Sequence, residues 1–261
     1  MFDSGFGGLT VARALLDLLP AEHLVYLGDT GRYPYGPRPL EEVHGFALQI
    51  TRRLVEDEGV KLVVVACNTA AAAGLADLQA AVDVPVVGVI EPGVRSLAQA
   101  TRTGRAGVIG TVGTVSSGAY QRAVAELAPG LELTCAACPG FVEFVERGET
   151  RSEQVTILAE RLLAPLREAK VDSLLLGCTH YPFLARTLSD VMGRDVVLVS
   201  SADETAFEVR RLLSGTDLAR PESEGAGTRR WLSSGDVAWF RELGRRLLGP
   251  ELDEVAPISW S

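Results

Sequence analysis

Short apolar runs alternate with stretches of helical period along most of the chain, and two of these runs read alike. Val63-Val64-Val65-Ala66-Cys67-Asn68-Thr69 and Leu174-Leu175-Leu176-Gly177-Cys178-Thr179-His180 each end abruptly in a cysteine followed by two polar residues. A run of this length, preceded by a helix-like segment, suits a strand buried on both faces of a parallel sheet. Its cysteine then lies at the strand's carboxyl end, where open α/β sheets place their ligands.

The same alternation predicts the other elements. Asp3-Ser4-Gly5-Phe6-Gly7-Gly8 leads into an amphipathic helix through Leu15 and Leu18. Its glycines allow a tight turn whose free N–H groups suit a carboxylate or phosphate. A strand over 24–28, a loop with Tyr33-Pro34-Tyr35-Gly36 and a helix over about 40–57 follow. After the first cysteine strand come an alanine-rich helix and a strand over 84–89 that ends at Glu91-Pro92-Gly93. The second half repeats this order. Strand 106–110 ends in Thr111-Val112-Gly113-Thr114, and helix 120–127 leads to strand 131–135 and Cys138-Pro139-Gly140. A helix through 158–166, the second cysteine strand, a short helix and strand 196–199 complete the unit. Residues 203–261 read as mostly helical, with a linker near 222–227.

Landmarks recur with the elements. Asp3 and Thr111, Leu24 and Leu131, Cys67 and Cys178, and Val84 and Asp195 stand 107 to 111 residues apart. The expectation is an α/β protein of two pseudo-symmetric, four-stranded lobes, with mainly parallel sheets facing across a cleft. Both thiols then line that cleft from opposite sides.

Composition narrows the partners. A net charge of −9 argues against nucleic acid, which requires a basic face. Pairs such as Arg52-Arg53, Arg210-Arg211 and Arg245-Arg246 read as solvated helix faces. No apolar stretch approaches the roughly 18–20 residues of a membrane span, and Met1-Phe2-Asp3-Ser4 does not open a signal peptide. A cytoplasmic protein with no membrane partner is therefore expected. There the four cysteines, Cys67, Cys135, Cys138 and Cys178, are expected to be reduced.

Cofactor sites fail on inventory. Cys135-Ala136-Ala137-Cys138 lacks the second pair or nearby histidine of a zinc site, and reads as structural. Pyridoxal phosphate needs a lysine. The two present, Lys61 and Lys170, precede the cysteine strands at the end away from the cleft. No metal and no cofactor is expected.

Two opposed thiols have their own chemistry. A thiolate is a general base and a thiol a general acid, and free cysteine has a pKa of about 8.5. One of each on opposite faces of a carbon removes a proton on one side and delivers another on the other, inverting configuration. A symmetric pair runs in both directions. Asp3 near Cys67, His180 beside Cys178, and Glu146 beyond Cys138-Pro139 are candidate helpers. Ser4, Asn68, Thr69, Thr111, Thr114 and Thr179 offer donors to an anionic substrate. Each has a structural alternative. A strand-end cysteine is often a small buried hydrophobe, Asp3 could cap the following helix, His180 could open a helix, and Glu146 could face solvent. A papain-like pairing of His180 with one thiol leaves the other thiol unexplained.

Asp3-Ser4-Gly5-Phe6-Gly7-Gly8-Leu9-Thr10-Val11, Tyr33-Pro34-Tyr35-Gly36, Ala66-Cys67-Asn68-Thr69 and Leu176-Gly177-Cys178-Thr179-His180-Tyr181-Pro182 together resemble the bacterial glutamate racemases. Ile109-Gly110-Thr111, Cys138-Pro139 with Phe141-Val142, Val145-Glu146 and Asp203-Glu204-Thr205 extend the likeness over nearly the whole chain. The resemblance implies a cofactor-independent enzyme that interconverts L- and D-glutamate to supply D-glutamate for peptidoglycan. It implies Cys67 and Cys178 as the acid/base pair and Asp3, Glu146 and His180 as auxiliary acid/base residues. Asp3-Ser4, Tyr35-Gly36, Asn68-Thr69 and Thr179-His180 match substrate-binding positions.

A homodimer is implied too, with lobe one formed by 1–93 plus 204–261 and lobe two by 94–203. Family members carry an apolar stretch before the equivalent Phe-Asp-Ser-Gly. Here Met1-Phe2 precede Asp3 directly, so either the first strand under Asp3 is truncated or the true start lies upstream of this sequence. No activator-binding extension at the N-terminus, and hence no activation by a cell-wall precursor, is expected. A two-thiol enzyme for aspartate or a hydantoin, and a two-lobed protein closing on an anionic ligand, remain as alternatives.

Overall fold

Strands and helices alternate along the chain in the computed structural model, which describes residues 1–260, the side chain of Leu247 excepted. The first half runs β1 (Phe2–Asp3), α1 (Leu9–Leu18), β2 (Leu24–Gly28), α2 (Leu40–Glu56), β3 (Val63–Val65), α3 (Asn68–Ala80), β4 (Val86–Gly88) and α4 (Ile90–Ala100). Then come β5 (Arg105–Gly110), α5 (Val112–Ser116), α6 (Ala119–Leu127), β6 (Glu132–Ala137), α7 (Phe141–Glu146), α8 (Glu153–Leu162), α9 (Ala164–Glu168) and β7 (Ser173–Gly177). A 3₁₀ turn (Tyr181–Leu184), α10 (Ala185–Met192), β8 (Val197–Val199), α11 (Ala202–Gly215), β9 (Arg229–Ser233), α12 (Val237–Leu248) and β10 (Val255–Pro257) follow.

Two sheets result, and every strand pair in them is parallel. The first has the order β10-β9-β2-β1-β3-β4 and the second β6-β5-β7-β8. The block β2-β1-β3-β4 and the block β6-β5-β7-β8 have the same order, element for element. The repeat seen in the sequence is thus a repeat of topology, with β3 equivalent to β7.

The first sheet is not four-stranded as expected. Two strands from the C-terminal segment, β9 and β10, extend it beside β2, where the sequence had suggested mostly helix. Trp231 and Leu232 are buried in β9, and burial outweighs the weak strand signal of a five-residue segment that begins with Arg229-Arg230. The strand expected over 84–89 and ending at Glu91-Pro92-Gly93 is shorter, Val86–Gly88, and those three residues lie at the start of α4. Proline is tolerated in a first helical turn, where its missing N–H has no intrahelical partner to lose. The single helix expected through 158–166 is two, α8 and α9, parted at Leu163.

The short first strand does hold. Phe2 pairs with Leu27 on one side and Val65 on the other, and its side chain is fully buried. The carbonyls of Met1 and Asp3 accept from Leu27 N and Asp29 N at 3.0 Å on one side, and that of Phe2 accepts from Ala66 N at 2.9 Å on the other.

Both faces of the second sheet are covered, which explains its unbroken apolar runs. Along β7, Leu175 packs into the large core shared with the first sheet. Its neighbours Leu174 and Leu176 point into a separate cluster with Leu166, Leu184 and Leu188. Helix α4 packs on α6 and β7 and also on α11, which lies against α1, so these helices join the two sheets.

Leu232 is 1% exposed, so Leu232→Ala is expected to lower stability by about 2–5 kcal/mol in urea denaturation. A loss under about 0.5 kcal/mol, the usual size for surface substitutions, would contradict the place of β9 in the core.

Candidate active site

Each cysteine sits where its strand gives way to helical backbone. The three valines of β3 are β-branched residues suited to a pleated, buried surface, and all are buried. The chain then turns so that Cys67 caps α3. Cys178 follows β7 in the same way, just before the 3₁₀ turn. Cys67 and Cys178 are 5% and 6% exposed. Both line one cavity between the lobes, together with Ser4, Asn68, Thr69, Thr111, Thr179 and His180, and with Tyr33 to Pro37 along one wall.

No lysine or arginine lines this cavity among the described residues. Burial therefore governs the thiols. It pushes Cys67 up to about 11, and the nearby Asp3 carboxylate adds to the shift. Burial pushes Cys178 further up, with the charges of Cys67 and Asp3 adding. The N-terminus of α3 favours a thiolate at Cys67, as do hydrogen bonds from Ala70 and Ser4, but they offset only part of the desolvation.

The helpers differ in how they reach the thiols. Cys178 Sγ lies 3.9 Å from His180 Nδ1. Burial lowers the His180 pKa to about 4, so its imidazole is neutral near pH 7. Phe6 meets that ring edge-on and Tyr33 lies over it, with centroids 4.9 and 6.1 Å away. On its far side, His180 Nε2 is 3.7 Å from Glu146 Oε1, and neither atom has a hydrogen-bond partner. Burial raises the Glu146 pKa, and Glu143 raises it further. Glu146 thus stands behind His180, outside the cavity lining.

Asp3 makes no hydrogen bond to Cys67. Its carboxylate accepts from Gly5 N at 2.9 Å and from Thr179 Oγ1, in the other lobe, at 3.3 Å. Burial raises its pKa. The direct partner of Cys67 is Ser4, whose Oγ accepts from Sγ at 3.7 Å. Gly7 lets the lobes approach here. A Cβ on it would stand 2.4 Å from Thr179 Oγ1 and 2.6 Å from His180 Nδ1.

The polar candidates divide by role. Thr69 Oγ1 lies 3.0 Å from Thr111 Oγ1 and 3.2 Å from Thr114 Oγ1, a hydroxyl cluster that ties α3 to α5. Thr69 and Thr111 reach the cavity, whereas Thr114 is fully buried behind them. Asn68 Oδ1 accepts from the Tyr120 hydroxyl at 2.6 Å, which leaves its buried Nδ2 without a partner. Tyr35 lines the wall, but its hydroxyl donates to Asp29, so it presents backbone and ring to the cavity. Gly36 packs against Thr111, and its carbonyl accepts from Gly113 N at 3.0 Å.

Four further residues shape the site without a role legible in sequence. Tyr33 stands in the Tyr33-Pro34-Tyr35-Gly36 motif, which alone does not reveal its ring beside His180. Glu143 also lines the cavity; its spacing of three from Glu146 on α7 was the available signal. Tyr120 and Asp29 act through partners 52 and 6 residues away in the sequence, and the first of these pairings has no local signature. Cys138, read as structural, is buried and lines the cavity, and its carbonyl accepts from the Tyr181 hydroxyl at 3.0 Å. All four cysteines are free, and no group of metal-ligating side chains occurs among the described residues.

Two α/β lobes that enclose one small cavity, with a free thiol from each, define an α/β enzyme with its site between repeated halves. The family model described as Asp/Glu/Hydantoin racemase matches residues 8–208. A glutamate racemase of Acidothermus cellulolyticus is 52% identical over 258 residues, covering 99% of this chain and 97% of that one. The crystal structure of a glutamate racemase isoform from Bacillus anthracis superposes with a TM-score of 0.92 at 40% identity, covering 100% and 96% of the two chains. That of a Francisella tularensis glutamate racemase in complex with D-glutamate superposes at 0.91 with 30% identity, covering 99% and 95%. The chain belongs to the Asp/Glu/Hydantoin racemase family and is an isomerase. Among the described residues, no helix is long and apolar enough to cross a membrane.

Buried neutral His180 makes a pH prediction. The unfolded chain binds its proton near pH 6.5 and the folded protein only near 4. Unfolding therefore takes up a proton between those values, and stability falls as pH drops through them. His180→Gln should reduce the stability lost between pH 7 and 4 by on the order of 3 kcal/mol in urea melts. An unchanged pH dependence would contradict the buried neutral imidazole.

Proposed function

We propose that this racemase interconverts L- and D-glutamate without a cofactor, passing protons between the α-carbon and Cys67 on one face and Cys178 on the other, and that its D-glutamate serves peptidoglycan synthesis. The observation that carries this reading is the placement of the two thiols at equivalent strand ends of two repeated lobes, on one cavity. The names of the relatives and the D-glutamate complex of the Francisella enzyme support glutamate as the substrate.

The step balances. A thiolate takes the α-proton, forming S–H as Cα–H breaks, and the electron pair spreads into the adjacent carboxylate. The opposite thiol delivers its proton to the other face and becomes the thiolate. The product leaves the pair with roles exchanged, and neutral His180, within reach of Cys178, is suited to return a proton through solvent.

Burial holds both thiols protonated in a cavity without lysine or arginine. The α-ammonium of the substrate is then the cation that favours a thiolate, the thiol's S–H breaking and its proton passing to solvent as the substrate enters. Its carboxylates meet neutral donors, including Asn68 Nδ2, which lacks a protein partner, and the backbone at the start of α3.

Incubation with L-glutamate, without added cofactor, should abolish the circular dichroism of the amino acid. Cys67→Ser and Cys178→Ser should each slow this inversion, by on the order of 10²–10⁴-fold for a lost acid/base group. Inversion of aspartate but not glutamate would sink the substrate assignment. Full activity in either variant would remove that thiol from the pair.

A further inference from the structure

Asp29, just past β2, is a fully buried carboxylate that gathers four donors. Oδ2 accepts from Arg32 Nε at 2.7 Å and from the Tyr35 hydroxyl. Oδ1 accepts from Ser234 Oγ at 2.6 Å and from Trp260 Nε1 at 2.8 Å. Two donors thus belong to the loop that walls the cavity, and two come from the C-terminal part of the chain. A buried carboxylate with both oxygens satisfied is held firmly, and each donor it holds is held in turn.

Trp260 does more than donate one hydrogen bond. Its ring lies 4.1 Å from the Arg32 guanidinium, which also lies 4.2 Å from the Phe46 ring. Arg32 thus makes two cation–π contacts. Ile258 N donates to Ser233 O at 2.9 Å, and Arg53 Nη1 donates to Ser259 O at 3.1 Å, so 258–260 are fixed along their length. Between Arg32 and Tyr35 lie Tyr33 and Pro34, which line the cavity with Tyr35, Gly36 and Pro37. The loop donors on Asp29 therefore bracket Tyr33 and Pro34 and hold Tyr35 itself within that wall.

We propose that residues 258–260 form a strap, and that Trp260, acting through Asp29 and Arg32, is a positioning residue that sets the cavity wall at 33–37. Trp260 touches neither thiol, so the strap governs how well substrate is held and not the proton transfer. Loosening such a wall weakens ground state and transition state alike, which raises KM and leaves kcat in place. The kinetic part of this proposal rests on the racemase reading given above.

The test compares the wild-type protein with Trp260→Ala and with Trp260→Phe, which keeps a ring over Arg32 but loses the N–H donor. In Trp260→Ala, KM for both glutamate enantiomers should rise about tenfold with kcat within about twofold, the mark of lost uniform binding. Trp260→Phe should fall between it and the wild type. Hydrogen–deuterium exchange without substrate provides an arm that needs no activity. Amides of 30–38 should exchange faster in Trp260→Ala, while those of α4 stay unchanged.

Unchanged exchange at 30–38, equal acceleration throughout the fold, or a lowered kcat at unchanged KM would each overturn the strap. If the wild-type protein fails to invert glutamate, the functional reading fails, and the exchange comparison still decides the strap.

Discussion

A thiol buried with no cation beside it keeps its proton, and the organisation of this protein turns on having two of them on one cavity. Cys67 and Cys178 are both raised, chiefly by desolvation. Asp3 adds negative charge to that environment, and His180, itself neutral, adds no positive charge. A site with this balance is at rest when empty. In the proposed reaction, charge separation waits for a ligand that brings its own cation, so activation and binding become one event.

Such a site needs a strand end from each lobe on one cavity, and the repeat supplies them. The shared order β2-β1-β3-β4 and β6-β5-β7-β8 places β3 and β7, and hence their cysteines, in equivalent positions. The lobes meet through polar contacts at the cavity and apolar ones behind it. Asp3 with Thr179, Thr69 with Thr111 and Thr114, and Asn68 with Tyr120 each join the two halves by hydrogen bonds. Behind them, Leu175 and Val108 of the second sheet enter the core of the first, across α4. The helper residues are arranged less symmetrically than the thiols. Cys178 faces a histidine, whereas Cys67 faces the Ser4 hydroxyl, with Asp3 acting on it through charge.

What the sequence revealed followed what is local. The apolar runs before Cys67 and Cys178 announced strands buried on both faces, and their spacing announced the repeat, because both signals lie within a few residues or in a simple period. The signal failed where tertiary contact overrides local preference. Arg229-Arg230 hides a strand whose Trp231 and Leu232 are core residues, and Glu91-Pro92-Gly93, read as the end of a strand, lies at the start of a helix. In the site, the residue types were legible and their directions were not. Tyr35 turns its hydroxyl to Asp29, Thr114 lies behind Thr69, and Glu146 stands behind His180. The Thr114 and Glu146 orientations involve partners 45 and 34 residues away, and Tyr35 turns to a carboxylate six residues before it whose place the loop's composition does not show.

The central claim, that two bases act from opposite faces, is tested most directly by where deuterium goes. L-glutamate would be converted in D₂O and stopped at a few per cent conversion, and the α-position of each enantiomer analysed by mass spectrometry after chiral separation. Two bases predict D-glutamate carrying α-deuterium and recovered L-glutamate still carrying protium, because the proton removed on one face is not the one delivered on the other. Deuterium appearing equally in both enantiomers, or protium retained in the product, would contradict it.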